Sequence, residues 1–189
     1  MKTIKKHLKT SLYIAFLATA ITACKKDDDP VATPQTATHE EEVITTLTLT
    51  FTDSANVQPT VTATFRDPDG DGGNGPDKHD TIKLANGTTY NVAITLLNES
   101  ETPAEDMTAE IKDEDDEHLV CMTVTGANVS IVKTDTDGTL PVGLESKWTT
   151  GAASNGTVQV TLKHQPGVKD GTCAPGDTDI DVTYVTQIN

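Results

Sequence analysis

"VITTLTLTFT", residues 43 to 52, alternates apolar and polar side chains. Val43, Leu47, Leu49 and Phe51 fall on one face, and Thr46, Thr48, Thr50 and Thr52 on the other. A period of two marks a half-buried strand, because successive side chains of an extended backbone point to opposite faces. The same period returns downstream. Val61, Ala63 and Phe65 form a second inward row, Ile82 and Leu84 a third, and Tyr90, Val92, Ile94 and Leu96 a fourth. "LVCMTVTG" and "NVSIV" follow, then Val142, Leu144 and Trp148, then Val158, Val160 and Leu162, and finally Ile180, Val182, Tyr184 and Ile188. Turn chemistry separates these rows. Asn86-Gly87 reads as a tight hairpin, and "DTDG" at 135–138 as a second turn.

One segment breaks the pattern. In "TPAEDMTAEIKDEDDEH", residues 102–118, Thr102 suits a helix cap, Pro103 the first helical position, and Glu105 and Asp106 the first turn. Met107 and Ile111 then lie four apart, one helical turn. Eight or nine short strands and one helix, without repeating βα units, predict an all-β fold. The expected architecture is an immunoglobulin-like antiparallel β-sandwich with one short helix, over residues 43–189.

The N-terminus reads as a leader. Residues 1–23 carry Lys2, Lys5, Lys6 and Lys9 with no acid, then the short apolar run "SLYIAFLATAITA". "ITAC" places small residues before Cys24, the pattern of a lipoprotein signal peptide whose cysteine is acylated. Acyl chains bind a bilayer by about 0.8 kcal/mol per buried CH₂, so two or three make a lasting anchor. Residues 24–42, rich in Pro, Thr, Ala and charge, read as a flexible acidic tether spanning about 20 to 25 Å. Its first residues, "KKDDD", put lysines and acids directly behind Cys24.

Charge excludes one class of partner. The chain holds 14 basic and 29 acidic residues. Loss of residues 1–23 leaves ten basic residues against 29 acidic ones, a net of −19. Such a surface repels phosphate backbones and attracts cations, so nucleic acid is not an expected partner. The remaining 166 residues suffice for one domain with a core. Two cysteines remain, Cys121 in an apolar strand and Cys173 in a Gly/Pro loop. An envelope compartment permits a disulfide between them; a plain buried thiol at Cys121 is the other reading.

Two clusters carry possible chemistry. "FRDPDGDGGNGPDKHD", residues 65–80, contains Asp67, Asp69, Asp71 and Gly72 in the order D-x-D-x-D-G, the first half of a calcium loop. A bidentate glutamate is missing, since Lys78 stands at position 12, but Asp77, Asp80 and backbone carbonyls can complete the shell. An acidic turn is the plainer alternative. The second cluster sets histidines beside acids at His39, His79 and His118, while His164 closes a strand on the side of Val158, Val160 and Leu162. Glu114 and His118, four apart, share a face if helical, and imidazole with carboxylate suits zinc and related ions. Calcium is the first expectation for a bound ion and zinc the second. Neither a G-x-S-x-G elbow nor a phosphate loop occurs, so the chain is read as non-enzymatic, with Cys121 near His118 the one nucleophile to weigh.

The stretches "KKDDD", "EEVITTLTLTF", "FRDPDGDGGNGPD", "LLNESETPAEDMTAEIKDEDDEH" and "TTGAASNGTVQVTLKHQP" together resemble a family of small Bacteroidota surface lipoproteins. Members are often encoded beside TonB-dependent receptors. The label "type 1 periplasmic binding fold" sometimes given to them implies two α/β lobes, which this strand pattern does not supply. The resemblance implies a surface-exposed, lipid-anchored outer-membrane protein that acts as an accessory to a TonB-dependent uptake system, and it identifies no ligand; capture of a cation is the expectation that the acidic charge and the two clusters add to it. The alternative is a structural or adhesive sandwich stiffened by calcium. Cys24→Ala should leave the leader uncleaved or the protein soluble. Mass spectrometry of the mature N-terminus checks this: cleavage at another bond with an unmodified Cys24 would exclude the anchor.

Overall fold

The computed structural model describes residues 42–70 and 72–189. The leader, Cys24, His39, the tether up to residue 41, and Asp71 lie outside the described residues. The rest is a mostly β, sandwich-like fold of two sheets with one short helix. The first sheet holds β1 (Thr46–Asp53), β2 (Val61–Arg66), β3 (Lys78–His79), β5 (Thr89–Asn98), β6 (Glu105–Asp106), β8 (Val129–Lys133) and β9 (Glu145–Thr150). Its main path runs β3-β2-β1-β5-β9-β8, with β6 paired to β5. The second sheet holds β4 (Ile82–Leu84), β7 (His118–Thr125), β10 (Ser154–His164) and β11 (Asp177–Ile188), in the order β4-β11-β10-β7.

The alternation of β1 is realised in its burial. Leu47, Leu49 and Phe51 face the core, while Thr48 stands opposite Thr64 of β2 and their hydroxyls share a hydrogen bond of 3.1 Å. Phe51 lies edge-on to Tyr90 and Trp148, with centroids 6.2 and 5.2 Å apart, a favoured packing for ring quadrupoles. Burial does not orphan the polar ends of these aromatics. Trp148 Nε1 donates to Ser146 Oγ at 2.9 Å, and Tyr184 of β11 donates to the Leu47 carbonyl at 2.9 Å, a bond between the two sheets. Burial pushes the Tyr184 hydroxyl pKa well above its ordinary value, so it remains a donor.

Five sequence expectations are corrected. Val43 is exposed and precedes β1, whose first residue is Thr46. Asn86-Gly87 is not a hairpin. β4 pairs in parallel with β11, while β5 pairs with β1 and β9, so the turn carries the chain from one sheet to the other. Gly87 (φ 59°) supplies the left-handed residue, but a turn's local chemistry does not say where the next strand finds partners. The second sheet is therefore mixed and not purely antiparallel, while the pairs of the first are all antiparallel. The helix, α1 (Met107–Asp113), is shorter than expected and its N-cap is Asp106, which accepts from Thr108 N; Thr102 and Pro103 lie outside it. Glu114 is its C-cap and His118 opens β7, so the two are not on one helical face.

β10 ends at His164, and residues 165–176 return to β11. Cys121 and Cys173 form a disulfide with Cα atoms 6.0 Å apart, which ties this return segment to β7. Closing a separation of 52 residues is worth roughly 4 kcal/mol in the chain-entropy account. Gln165, fully buried, donates its backbone N–H to the Glu117 carbonyl at 2.6 Å and its side chain to the carbonyls of Thr172 and Pro175. Lys169 Nζ reaches the Asp115 carbonyl at 2.6 Å and Asp137 Oδ2 at 2.9 Å, with both side chains nearly closed off from solvent.

The N–H of Leu140, the Lys169 ammonium and the N–H of Thr139 hold the Asp137 carboxyl down to about 2, from an ordinary 3.8. A depressed folded-state value adds stability above the unfolded value and loses it as pH falls through the folded one. The window here runs from about pH 4 down to about pH 2. Urea unfolding of wild type and Asp137→Asn should therefore differ most above pH 4 and converge toward pH 2. A difference that stays constant with pH would show that the carboxylate is not the source.

Candidate metal centre

The ladder between β7 and β10 places His118 directly opposite His164 at its end. Their rings stack, with centroids 4.7 Å apart and planes within 6°. Both belong to inward rows: His164 continues Val158, Val160 and Leu162, and His118 precedes Val120. His118 is fully buried and His164 nearly so. An imidazole in that position must find polar partners, because an unpaired buried polar group costs free energy.

Those partners are acidic. Glu42, just ahead of β1, sends its nearly buried carboxylate across to the second sheet. Its Oε1 lies 3.1 Å from His118 Nε2 and its Oε2 lies 3.6 Å from His164 Nδ1. The outer nitrogens face the turn after α1: His118 Nδ1 is 3.1 Å from the Glu114 carbonyl, and His164 Nε2 is 3.5 Å from Glu117 Oε2. One ligand atom from each of Glu42, Glu114, His118 and His164 lies within 4.8 Å of the others. The histidines form the closed side of this group and exposed Glu114 the open side. Two imidazoles and two carboxylates are a donor set for a borderline divalent ion. Tetrahedral zinc, with bonds of about 2.0 to 2.1 Å, needs ligand atoms about 3.4 Å apart, so loading would draw the set inward and tilt the stacked rings toward one point.

The surroundings favour a cation. Burial, with the charges of Glu114, Glu105 and Glu42, pushes the Glu110 carboxyl above its ordinary value. The Glu114–His118 pair expected from the sequence is thus brought together through a helix cap and a turn. Glu42 and His164 complete the group, and Glu117 supports it. His164 had a legible signal in its parity with the inward row of β10. Glu42 had none, since a lone acid at the end of a charged stretch looks like its neighbours.

The aspartates of the acidic loop go to different places. Asp77 pairs with Arg66 at 2.5 Å, and Arg66 also contacts Glu99. Asp80 accepts from Thr64 N at 3.0 Å and pairs with Lys78 at 3.1 Å. Asp69 folds back to accept from the backbone and side chain of Asn74, both at 2.8 Å, which lowers its carboxyl pKa. Asp67 and Gly70 instead line a cavity of about 210 Å³ with Glu42, Asp179 and Asp181. Asp179 is the extra residue of a β-bulge, because Leu162 pairs with Ile180 and Lys163 with Thr178. His79 lies edge-on between Phe65 and Tyr184. Cys121 is bonded to Cys173 and so is not a free thiol. Comparison of the chain with protein families, with curated proteins and with solved structures finds no match.

Proposed function

We propose that this chain is a surface-exposed, lipid-anchored outer-membrane protein whose immunoglobulin-like domain is a non-enzymatic binding module for a divalent transition metal of the zinc class. In this reading it serves as an accessory to a TonB-dependent uptake system, with Cys24 in the membrane and the tether reaching to Glu42. The observation that carries the metal reading is the convergence of Glu42, Glu114, His118 and His164 at the end of the β7–β10 ladder. The Glu114 carbonyl only accepts hydrogen bonds, so His118 Nδ1 bears a proton. His118 Nε2 then turns toward a carboxylate oxygen, and two acceptors 3.1 Å apart need a cation or a second proton between them. A divalent ion held by Glu42 and His118, with His164 beside them, would answer this. A disulfide in the fold suits an oxidising envelope compartment, and the net charge of −19 left without residues 1–23 draws cations toward the chain.

The second reading, a structural or adhesive sandwich stiffened by calcium, draws on the cavity shared by Asp67, Asp179, Asp181 and Glu42. Carboxylates are the hard oxygen donors that calcium takes, and a weak extracellular-type site of this kind has an affinity on the order of 10⁻⁴ to 10⁻³ M.

Thermal unfolding of the mature chain separates the two. Zinc at a hundredfold excess over its Kd should stabilise the fold by about 2.7 kcal/mol. That gain should vanish in His118→Ala and His164→Ala but survive in Asp67→Asn/Asp179→Asn. A millimolar calcium shift with the opposite dependence would favour the second reading. No shift with either ion would overturn both.

A further inference from the structure

We infer that the two histidines present different ring nitrogens to the ion, Nε2 of His118 and Nδ1 of His164, and that Glu117 is the positioning residue that sets the second choice. This rests on the metal reading above. A metal-bound imidazole gives one nitrogen to the ion and donates the other N–H to a carbonyl or carboxylate, which fixes ring orientation and raises the ring's basicity. Both histidines have such a pair of neighbours. His118 has the Glu114 carbonyl at Nδ1 and Glu42 at Nε2. His164 has Glu117 at Nε2 and Glu42 at Nδ1. Glu42 is the carboxylate common to both rings, so the ion lies on its side. The nitrogens facing away from Glu42 are left to carry the protons. They are Nδ1 in one ring and Nε2 in the other.

Glu117 is built to hold its ring. Its carbonyl accepts from Gln165 N at 2.6 Å and its own N–H donates to the Glu114 carbonyl at 3.0 Å, so the backbone is fixed from both sides. Gln165 directly follows His164, so the same bond sets the carboxylate's place relative to the ring it faces. The separation from His164 Nε2, 3.5 Å, is longer than a well-formed hydrogen bond. An ion at Nδ1 withdraws electron density from the ring, makes Nε2–H a stronger donor and draws Glu117 in. The Glu117 side chain is 40% exposed, so replacing it does not open the core.

The test uses the mature chain, ¹⁵N-labelled and loaded with zinc. Long-range proton–nitrogen correlation spectra should show a metal-bound Nε2 and protonated Nδ1 in His118, and the reverse in His164. Zinc competition titrations should show Glu117→Gln weakening binding by about 10- to 100-fold, the scale of a lost outer-shell partner. Glu117→Asp should recover part of that loss. Asp116→Asn, which removes the same charge from the exposed neighbouring residue, should change affinity less than threefold, and the metal-free melting temperature should be unchanged in all three variants. Zinc bound through Nε2 of both rings, or equal losses in Glu117→Gln and Asp116→Asn, would overturn the inference and leave the metal reading standing. A wild-type chain that takes up no zinc would overturn the metal reading and this inference with it.

Discussion

The register of β10 between its two neighbours is the constraint on which the rest depends. β10 pairs with β7 through eight residues, from Thr157↔Thr125 to His164↔His118, without a shift. Its even-numbered residues Val158, Val160 and Leu162 face the core. A slip by one residue would turn every one of them to solvent, since the side-chain period of a strand is two. Burying one such side chain is worth about 1.5 to 3 kcal/mol, so the slip is heavily penalised. The core therefore decides the register, and the register brings His164 opposite His118. Hydrophobic burial along the rest of the strand is what aligns the polar cluster at its end.

That alignment places polar groups where water cannot reach them. Two stacked imidazoles under the edge of the sandwich would be costly if left to themselves, and the chain answers with carboxylates from two directions. Glu42 comes from the strand leader of the first sheet, and Glu114 and Glu117 from the turn after the helix. The cluster thus joins three separate parts of the fold, and any ion held there would bind them to one another. The low-dielectric interior strengthens such interactions and also raises the cost of leaving any one of them unmet.

The segment that follows His164 is held with comparable thoroughness. The Cys121–Cys173 bond, the buried Gln165 and the Lys169–Asp137 pair fasten residues 165–176 to β7 and to the turns at 114–117 and 135–138. A Gly/Pro-rich return of this kind would otherwise carry large conformational freedom. Its restraint keeps the ends of β7 and β10 in place around the histidine pair. On the adjoining strand, the bulge at Asp179 breaks regular pairing and adds an acid to the cavity that Asp67 and Glu42 line.

Most of the strand content was legible in the sequence, because alternation over five to ten residues is a local consequence of extended backbone. Leu47, Leu49 and Phe51 in β1, or Val158, Val160 and Leu162 in β10, declare their inward face without knowledge of their neighbours. The sandwich-like all-β class and the one helix around Met107 and Ile111 follow from the same local physics. Tertiary structure alone decided which strands meet. Asn86-Gly87 has the chemistry of a hairpin turn, yet β4 and β5 go to different sheets, because strand pairing is a contest between distant segments for the same edge. The metal candidate divides the same way. Glu114 and His118 are close in the chain and could be named from it. Glu42 and His164 lie 76 and 46 residues from His118, and only the closure of the two sheets brings a leader carboxylate onto a stacked histidine pair.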